Sequence, residues 1–260
     1  MPELPEVESF KNYLDGTSLN KVIKNVKIRD NRVLNVSETA LKKELTNKKF
    51  ICSIRHGKYL FVKINPKFLV LHFGMSGYLE SYNNVNEEPN HSRIRFKFID
   101  GTFLSYVSQR MFGRVDICDN IENYVKKKKL GPDALNMNYE EFLDTRKRRT
   151  TISKTFLMNQ NIIAGIGNIY SDEILFQSKI NPKVKINELD DKKLNDLFYN
   201  IKKVLKYGIE KKGNLKTYSS KYLIPHRQKE DKCPNCGAQL ERYEISGRHG
   251  FFCSNCQKID

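Results

Sequence analysis

No apolar run in this sequence approaches the ~18 residues that a membrane-spanning helix needs. No basic start leads into a short hydrophobic stretch of the secretory kind either; the opening residues are acidic. A cytoplasmic location is therefore expected. Internal repeats and low-complexity tracts are missing, so nothing points to a solenoid or a long disordered tail. Acid is scarce: 30 Asp and Glu stand against 46 Lys and Arg, leaving a net charge of +16. Such an excess repels itself and attracts phosphates at long range, so a polyanionic partner is expected. The plainer alternative is a surface solvated by lysines.

A disulfide framework is also lacking. Of the six cysteines, Cys52 and Cys118 stand alone in apolar surroundings and read as small buried hydrophobes. The other four form Cys233-x2-Cys236 and Cys253-x2-Cys256, sixteen residues apart. Two such knuckles, Pro234-Asn235 and Ser254-Asn255, suit one tetrahedral structural zinc ion better than a redox pair.

What is present begins with Met1-Pro2-Glu3-Leu4-Pro5-Glu6. A small second residue permits removal of the initiator methionine, which would leave a proline secondary amine beside an acid. With a pKa of roughly 7.7–8.0, such an amine is partly an unprotonated nucleophile at neutral pH. Attack on a sugar aldehyde carbon gives an iminium, and Glu3 is placed to move the protons. The alternative is a simple helix start, with Pro5 in the first turn and Glu6 and Glu8 at its positive end. Val7, Phe10 and Leu14 continue at helical spacing, and Gly16 is the expected stop.

The 260-residue chain has room for a full core and more than one domain. From Lys21 to about Cys118, alternating or β-branched runs predict strands over 22–28, 50–54, 59–64, 68–73, 92–99 and 102–107, with a hairpin at Asp100-Gly101 and a polar loop over 83–90. This is the pattern of an antiparallel sandwich or barrel. After Lys126–Lys129, Leu130-Gly131-Pro132-Asp133 marks a boundary. Beyond it, helices are expected over 139–145, 152–159, 168–177 and 190–211, the last with an apolar stripe of Leu194, Leu197, Phe198, Ile201, Val204, Leu205 and Ile209.

Four loops carry further chemistry. Lys58, in Arg55-His56-Gly57-Lys58, follows a glycine that lets backbone approach a ligand; an ordinary surface lysine is the alternative. Met75, in Gly74-Met75-Ser76-Gly77, is either a wedge between bases or a core methionine. Arg110-Met111-Phe112-Gly113 suits the gap left by a departed base, or is a plain turn with its ring inward. Gly165-Ile166-Gly167-Asn168 opens a helix capped by Asn168, whose first-turn amides suit a phosphate; close packing of two helices is the alternative. Asp172 and Glu173 read as partners of the helix dipole.

Taken together, Pro-Glu-Leu-Pro-Glu, His-Gly-Lys, Gly-Met-Ser-Gly, Arg-Met-Phe-Gly, Gly-Ile-Gly-Asn-Ile-Tyr and the four-cysteine finger resemble, in order and spacing, the formamidopyrimidine-DNA glycosylase/endonuclease VIII family over nearly the whole chain. The resemblance implies an α+β fold: an N-terminal antiparallel β-sandwich with a leading helix (1–130), a helix–two-turn–helix domain (131–222) and a zinc finger (223–260), with DNA in the cleft between two lobes. It implies a bifunctional glycosylase and abasic-site lyase of base excision repair, acting as a monomer on double-stranded DNA with oxidised bases or abasic sites, and located with the nucleoid. Pro2 would attack C1′, Glu3 would donate the proton, and Lys58 would contact phosphate and assist β-elimination. Arg248, between the cysteine pairs, would grip the flipped nucleotide's phosphates and serve δ-elimination; Asn168 would share that grip. His91, Arg110, Arg149 and Lys154 match other DNA contacts, and Met75, Arg110 and Phe112 would fill the void in the duplex. Glu6 matches a family acid near the pocket.

Two departures stand out. The family often has two arginines before the phenylalanine of the third loop; here the second is Met111. Only nineteen residues separate Gly213 from Cys233, whereas relatives specialised for 8-oxoguanine carry a longer, lesion-capping loop there. Ring-opened formamidopyrimidines, or oxidised pyrimidines as in endonuclease VIII, are therefore expected to be handled better. Non-catalytic alternatives are a zinc-ribbon nucleic-acid binder and an RNA-binding ribosomal-type module; neither needs a free Pro2 amine.

Overall fold

A computed structural model describes residues 1–228 and 230–259; Lys229 and Asp260, both in the expected finger segment, lie outside the described residues. The chain divides into two compact units, one of Met1–Pro2 with Val7–Lys128, the other of Glu3–Glu6 with Lys129–Asp260.

In the first unit, helix α1 (Leu4–Ser18) is followed by β1 (Ile23–Ile28), α2 (Glu38–Leu45), β2 (Ser53–His56), β3 (Tyr59–Lys63), β4 (Phe68–His72), β5 (Gly77–Tyr82), β6 (Ser92–Phe98), β7 (Phe103–Ser108), β8 (Arg114–Cys118) and α3 (Ile121–Lys127). The strands form two antiparallel four-stranded sheets, ordered β1-β6-β7-β5 and β2-β3-β4-β8. Inward residues of both sheets, such as Val26, Phe96 and Leu104 from one and Leu60, Leu71 and Val115 from the other, share one core, so the unit is the expected sandwich. Val7 and Leu14 of α1 enter the same core.

Several sequence expectations shift. Helix α1 runs through Gly16, which costs about 1 kcal/mol relative to alanine but is tolerated because Leu14 is fully buried. The stop is Asn20, at φ 65°, whose N–H donates to the Phe50 carbonyl. Strands β5 and β8 and helices α2 and α3 carry weaker signals and lie outside the expected elements: β5 has Leu79 as its one aliphatic residue, and α2 depends on the Ser37 cap. Cys52 is exposed and Cys118 half-buried rather than buried, because β2 and β8, next to which or in which they lie, are the two edge strands of one sheet. The polar 83–90 loop contains a short 3-10 turn at Val85–Glu87, closed by a capping box from Asn84.

The second unit holds α4 (Tyr139–Arg146), α5 (Ser153–Met158), α6 (Asn168–Gln177) and α7 (Asp191–Glu210), then a two-stranded hairpin of β9 (Glu241–Ile245) and β10 (Arg248–Phe252). Consecutive turns over 159–167 join α5 to α6, giving the helix–two-turn–helix arrangement. The α7 stripe is buried as its spacing predicts, and the packing core around it includes Leu4, Phe142, Phe156 and Tyr170. The core under the finger is small, Phe176 of α6 with Leu223, Cys233, Leu240 and Cys253. A segment of this size needs a further cross-link to stay ordered.

Candidate active site

The site is built around Glu3, which is 3% exposed. Its carboxylate occupies the N-terminus of α6: Oε2 accepts the N–H groups of Gly167 (2.6 Å) and Tyr170 (3.3 Å), and Oε1 accepts that of Ile169 (2.9 Å). These are amides that a helix leaves unpaired at its start. Asn168 is therefore not the cap; it is the first helical residue, and Gly167 in the cap position has no side chain to offer. The amides expected to hold a phosphate are filled from within the chain. The two glycines exist for this seat. A Cβ on Gly167 would lie 2.4 Å from Glu3 Cδ, and one on Gly165, at φ +119°, would lie 2.6 Å from Leu4 Cδ1. Gln160 braces the turn, accepting from the Gly165 N–H and donating to the Ile166 carbonyl.

Glu6 lies one turn on. Its Oε2 accepts the Glu3 N–H at 2.8 Å, which is half of a capping box, and its Oε1 accepts the Tyr170 hydroxyl at 3.0 Å. Tyr218 donates in turn to Tyr170 at 3.0 Å. Burial, and then the neighbouring Glu3 charge, raise Glu6 from the ordinary carboxylate value to about 7. Tyr170 closes the Gly-Ile-Gly-Asn-Ile-Tyr motif, whereas nothing in the sequence singles out Tyr218.

In the first unit, Pro2 is half-buried and Met1, whose removal frees its nitrogen, is exposed. Lys58 is buried at the two-residue turn between β2 and β3, where Gly57 has φ 56°. Burial and the Lys58 charge hold His72 down to about 4, so that ring is neutral at physiological pH. Arg55, also buried, pairs with Glu8 of α1 at 2.6 Å.

Met75 and Phe112 are 41% and 53% exposed, which decides against a core methionine and an inward ring. Their two loops touch. A Cβ on Gly74 would fall 2.4 Å from the Phe112 backbone, the Arg110 N–H donates to Ser76 Oγ, and the Arg110 guanidinium stands 5.5 Å from the Phe112 ring centre. Met111, at φ 59°, packs against the core instead, so it is the residue between Arg110 and Phe112 that turns inward. His91 is exposed at φ 62°, beside Arg93.

In the second unit, Arg149 is exposed after α4, its Nε donating to the Thr145 carbonyl. Lys154 departs from expectation: it is fully buried and spends its three protons on the Asn168 carbonyl, Ser171 Oγ and Asp172 Oδ1. A phosphate cannot reach it, and burial lowers it to about 8. Asn168 donates through Nδ2 to the His249 carbonyl, next to Arg248, while its Oδ1 is buried without a partner among the described residues. Arg248 is exposed where β10 leaves the turn at Ser246 and Gly247, both at positive φ.

The four cysteine sulfurs of the finger all lie within 4.8 Å of one another, with Cys233–Cys256 at 3.8 Å and Cys236–Cys253 at 3.6 Å. A tetrahedral ion with ~2.3 Å zinc–sulfur bonds separates its ligands by about 3.8 Å, so the donor set fits. These four residues hold one structural zinc, which supplies the cross-link that the small core lacks.

Three family models match in order: the formamidopyrimidine-DNA glycosylase N-terminal domain over residues 1–115, that family's H2TH domain over 130–219, and the zinc finger found in FPG and IleRS over 230–259. The formamidopyrimidine-DNA glycosylase of Mycoplasma genitalium is 35% identical, covering 100% of this chain and 96% of its own. That of Ligilactobacillus salivarius is 32% identical, covering 100% and 99%. Among solved structures, the Lactococcus lactis enzyme in complex with DNA containing an abasic site superimposes with a TM-score of 0.89 at 28% identity, covering 99% of this chain and 100% of that one. The wild-type Lactococcus lactis enzyme with DNA containing N7-benzyl-Fapy-dG gives 0.88 at 29% identity, again covering 99% and 100%. With matches along its whole length and the same order of segments, this chain belongs to the formamidopyrimidine-DNA glycosylase family.

Proposed function

We propose that the chain is a bifunctional DNA glycosylase and abasic-site lyase of base excision repair, acting as a monomer on the cell's own double-stranded DNA. Its three working parts are residues 1–130, 131–222 and 223–260. After Met1 is removed, the Pro2 nitrogen attacks C1′ of the damaged nucleotide and the glycosidic bond breaks, the base leaving with a proton. Glu3 protonates the ring oxygen, the sugar opens, and an iminium joins Pro2 to C1′. Loss of the C2′ proton then expels the 3′ phosphate, and a second elimination expels the 5′ phosphate. Lys58 contacts phosphate and assists the first elimination; Arg248 serves the second. His91, Arg110, Arg149 and Asn168 contact the DNA, and Met75, Arg110 and Phe112 fill the space of the flipped nucleotide.

The observation that carries this reading is the seat of Glu3. A helix N-terminus, two glycines and a bracing glutamine hold one carboxylate directly beside the residue that becomes the N-terminal amine. Oε1 accepts a single amide, so it retains a lone pair for a proton. A non-catalytic ribbon has no use for this arrangement.

Borohydride reduction during incubation with abasic-site DNA tests it. A covalent protein–DNA adduct is expected, and Pro2→Gly should weaken it. Absence of an adduct from protein that mass spectrometry shows to lack Met1 would overturn the reading in favour of a binder. Full activity with Met1 attached would overturn it as well, because no nucleophilic amine would exist.

A further inference from the structure

Asp172 reads in the sequence as a partner of the helix dipole; in the structure it is 2% exposed and joins parts of the second unit far apart in sequence. Its Oδ1 accepts Lys154 Nζ and the Tyr243 hydroxyl, both at 2.5 Å. Its Oδ2 accepts the Phe251 N–H at 3.2 Å and the Arg227 guanidinium. Two of these donors, Tyr243 and Phe251, belong to opposite strands of the β9–β10 hairpin, which carries Arg248 at its turn.

We propose that Asp172 is a positioning residue for Arg248: by tying both strands of the hairpin to α6, it fixes where the guanidinium stands. The inference rests on the role proposed above for Arg248.

Three observations support it. An isolated two-stranded hairpin is marginal in water, so something must hold it. The zinc ligands cannot do so alone. Arg248 lies five residues before Cys253, or about 17 Å along an extended strand. Between these ends the contacts go to α6: Asn168 to the His249 carbonyl, and Asp172 to Phe251 and Tyr243.

Gly250 supplies the second observation. Glycine weakens a strand unless another group must approach closely. A Cβ here would stand 2.4 Å from Tyr243 Cζ and 2.7 Å from Asp172 Oδ1, in the space their hydrogen bond occupies. The third is the kind of contact chosen. An apolar residue would fasten a helix to a hairpin without desolvating charge, and buried ionic clusters are poor sources of stability. A carboxylate with four directed donors admits one register of hairpin on helix, which an apolar contact does not.

The test uses zinc-loaded, full-length protein lacking Met1 on duplex DNA with one abasic site, reading the ratio of δ- to β-elimination product together with kcat, KM and zinc content. Asp172→Asn and Tyr243→Phe should each lower the δ/β ratio by about fivefold or more, raise KM, and leave the β step within about threefold, with zinc retained. Arg248→Ala should lower the δ/β ratio and raise KM at least as far, and Asp172→Asn should add nothing to it, since residues acting through one group are not additive. Tyr243→Phe removes a single hydroxyl and carries the test if Asp172→Asn does not fold. Wild-type ratios in Tyr243→Phe, while Arg248→Ala loses δ product, would overturn the positioning role. A wild-type ratio in Arg248→Ala would overturn the role of Arg248 itself, and this inference with it.

Discussion

The Glu3 carboxylate accepts the Gly167 amide at 2.6 Å although 164 residues separate them. The contact makes Gly167 a residue whose substitution strikes the chemistry. A Cβ would overlap Glu3 Cδ and Oε1, so the carboxylate must shift from its seat on the helix start. Gly167→Ala should cost about 1–3 kcal/mol from overpacking. It should also cost about 100-fold in base release, because a shift of about 1 Å in a proton donor is enough for that. Single-turnover kinetics on a damaged duplex, with denaturant melts alongside, would check both. Normal kinetics would mean that Glu3 tolerates displacement.

Glu6 predicts a pH dependence of stability. Its folded value of about 7 lies above the ordinary 4.5, so the folded state holds a proton that the unfolded state releases in between. The contribution is fully present below about pH 4.5 and is lost as the pH rises through about 7, amounting to about 3 kcal/mol. Glu6→Gln removes the titration. Measured by denaturant melts, the wild type should lose ground to Glu6→Gln between pH 5 and 8. A difference that stays constant with pH would contradict the assignment.

The finger should fail as a unit when its metal is taken. The small cluster it shares with Phe176 of α6 cannot order the segment alone. Chelation, or Cys236→Ser, should therefore release the β9–β10 amides to fast hydrogen exchange and abolish strand cleavage, while the amides of the β-sandwich stay protected. Protected finger amides in zinc-free protein would show that the metal is dispensable.

Much of this architecture is legible in sequence because it rests on local patterns. The apolar stripe of α7 and the spacing of the four cysteines follow from periodicity and from the geometry of one ion. The motif at Gly165–Gly167 is visible in the sequence but its use is not. Glycines signal close approach without naming the visitor, and here it is Glu3 rather than a phosphate. Lys154 and Asp172 mislead for a related reason. Charge at a helical position reads as surface until tertiary structure supplies the buried partner. Tyr218 gives no signal, and Tyr170 closes a recognisable motif without showing its hydrogen bonds, since a core aromatic and a hydrogen-bonding one look alike in sequence.

Exposed Met75 and Phe112 predict a division between two substrates. Filling the space of a flipped nucleotide matters only while a base must leave the stack. The double variant Met75→Ala/Phe112→Ala should slow base release from a damaged duplex by about 10-fold to 100-fold, from the few kcal/mol of unstacking left uncompensated. On a duplex already lacking the base, cleavage should change by no more than about threefold. Equal losses on both substrates would assign these side chains to general DNA binding.

The segment between Gly213 and Cys233 bears on which lesion is preferred. Three of its residues anchor it to the fold: Tyr218 joins the Glu6 hydrogen-bond chain, Leu223 enters the core under the finger, and the Ile224 N–H donates to buried Glu173 at 2.7 Å. Little chain is left to close over a flipped purine and recognise its oxidised edge. Specificity that depends on hydrogen bonds to such an edge is lost when the donors are missing, whereas a ring-opened or saturated base, poorly stacked from the start, is cheaper to extrude. Duplexes identical except for the lesion should therefore release formamidopyrimidine or an oxidised pyrimidine at least about tenfold faster than 8-oxoguanine. A faster rate for 8-oxoguanine than for both would show that the short segment does not limit recognition, and that contacts elsewhere in the chain read the base.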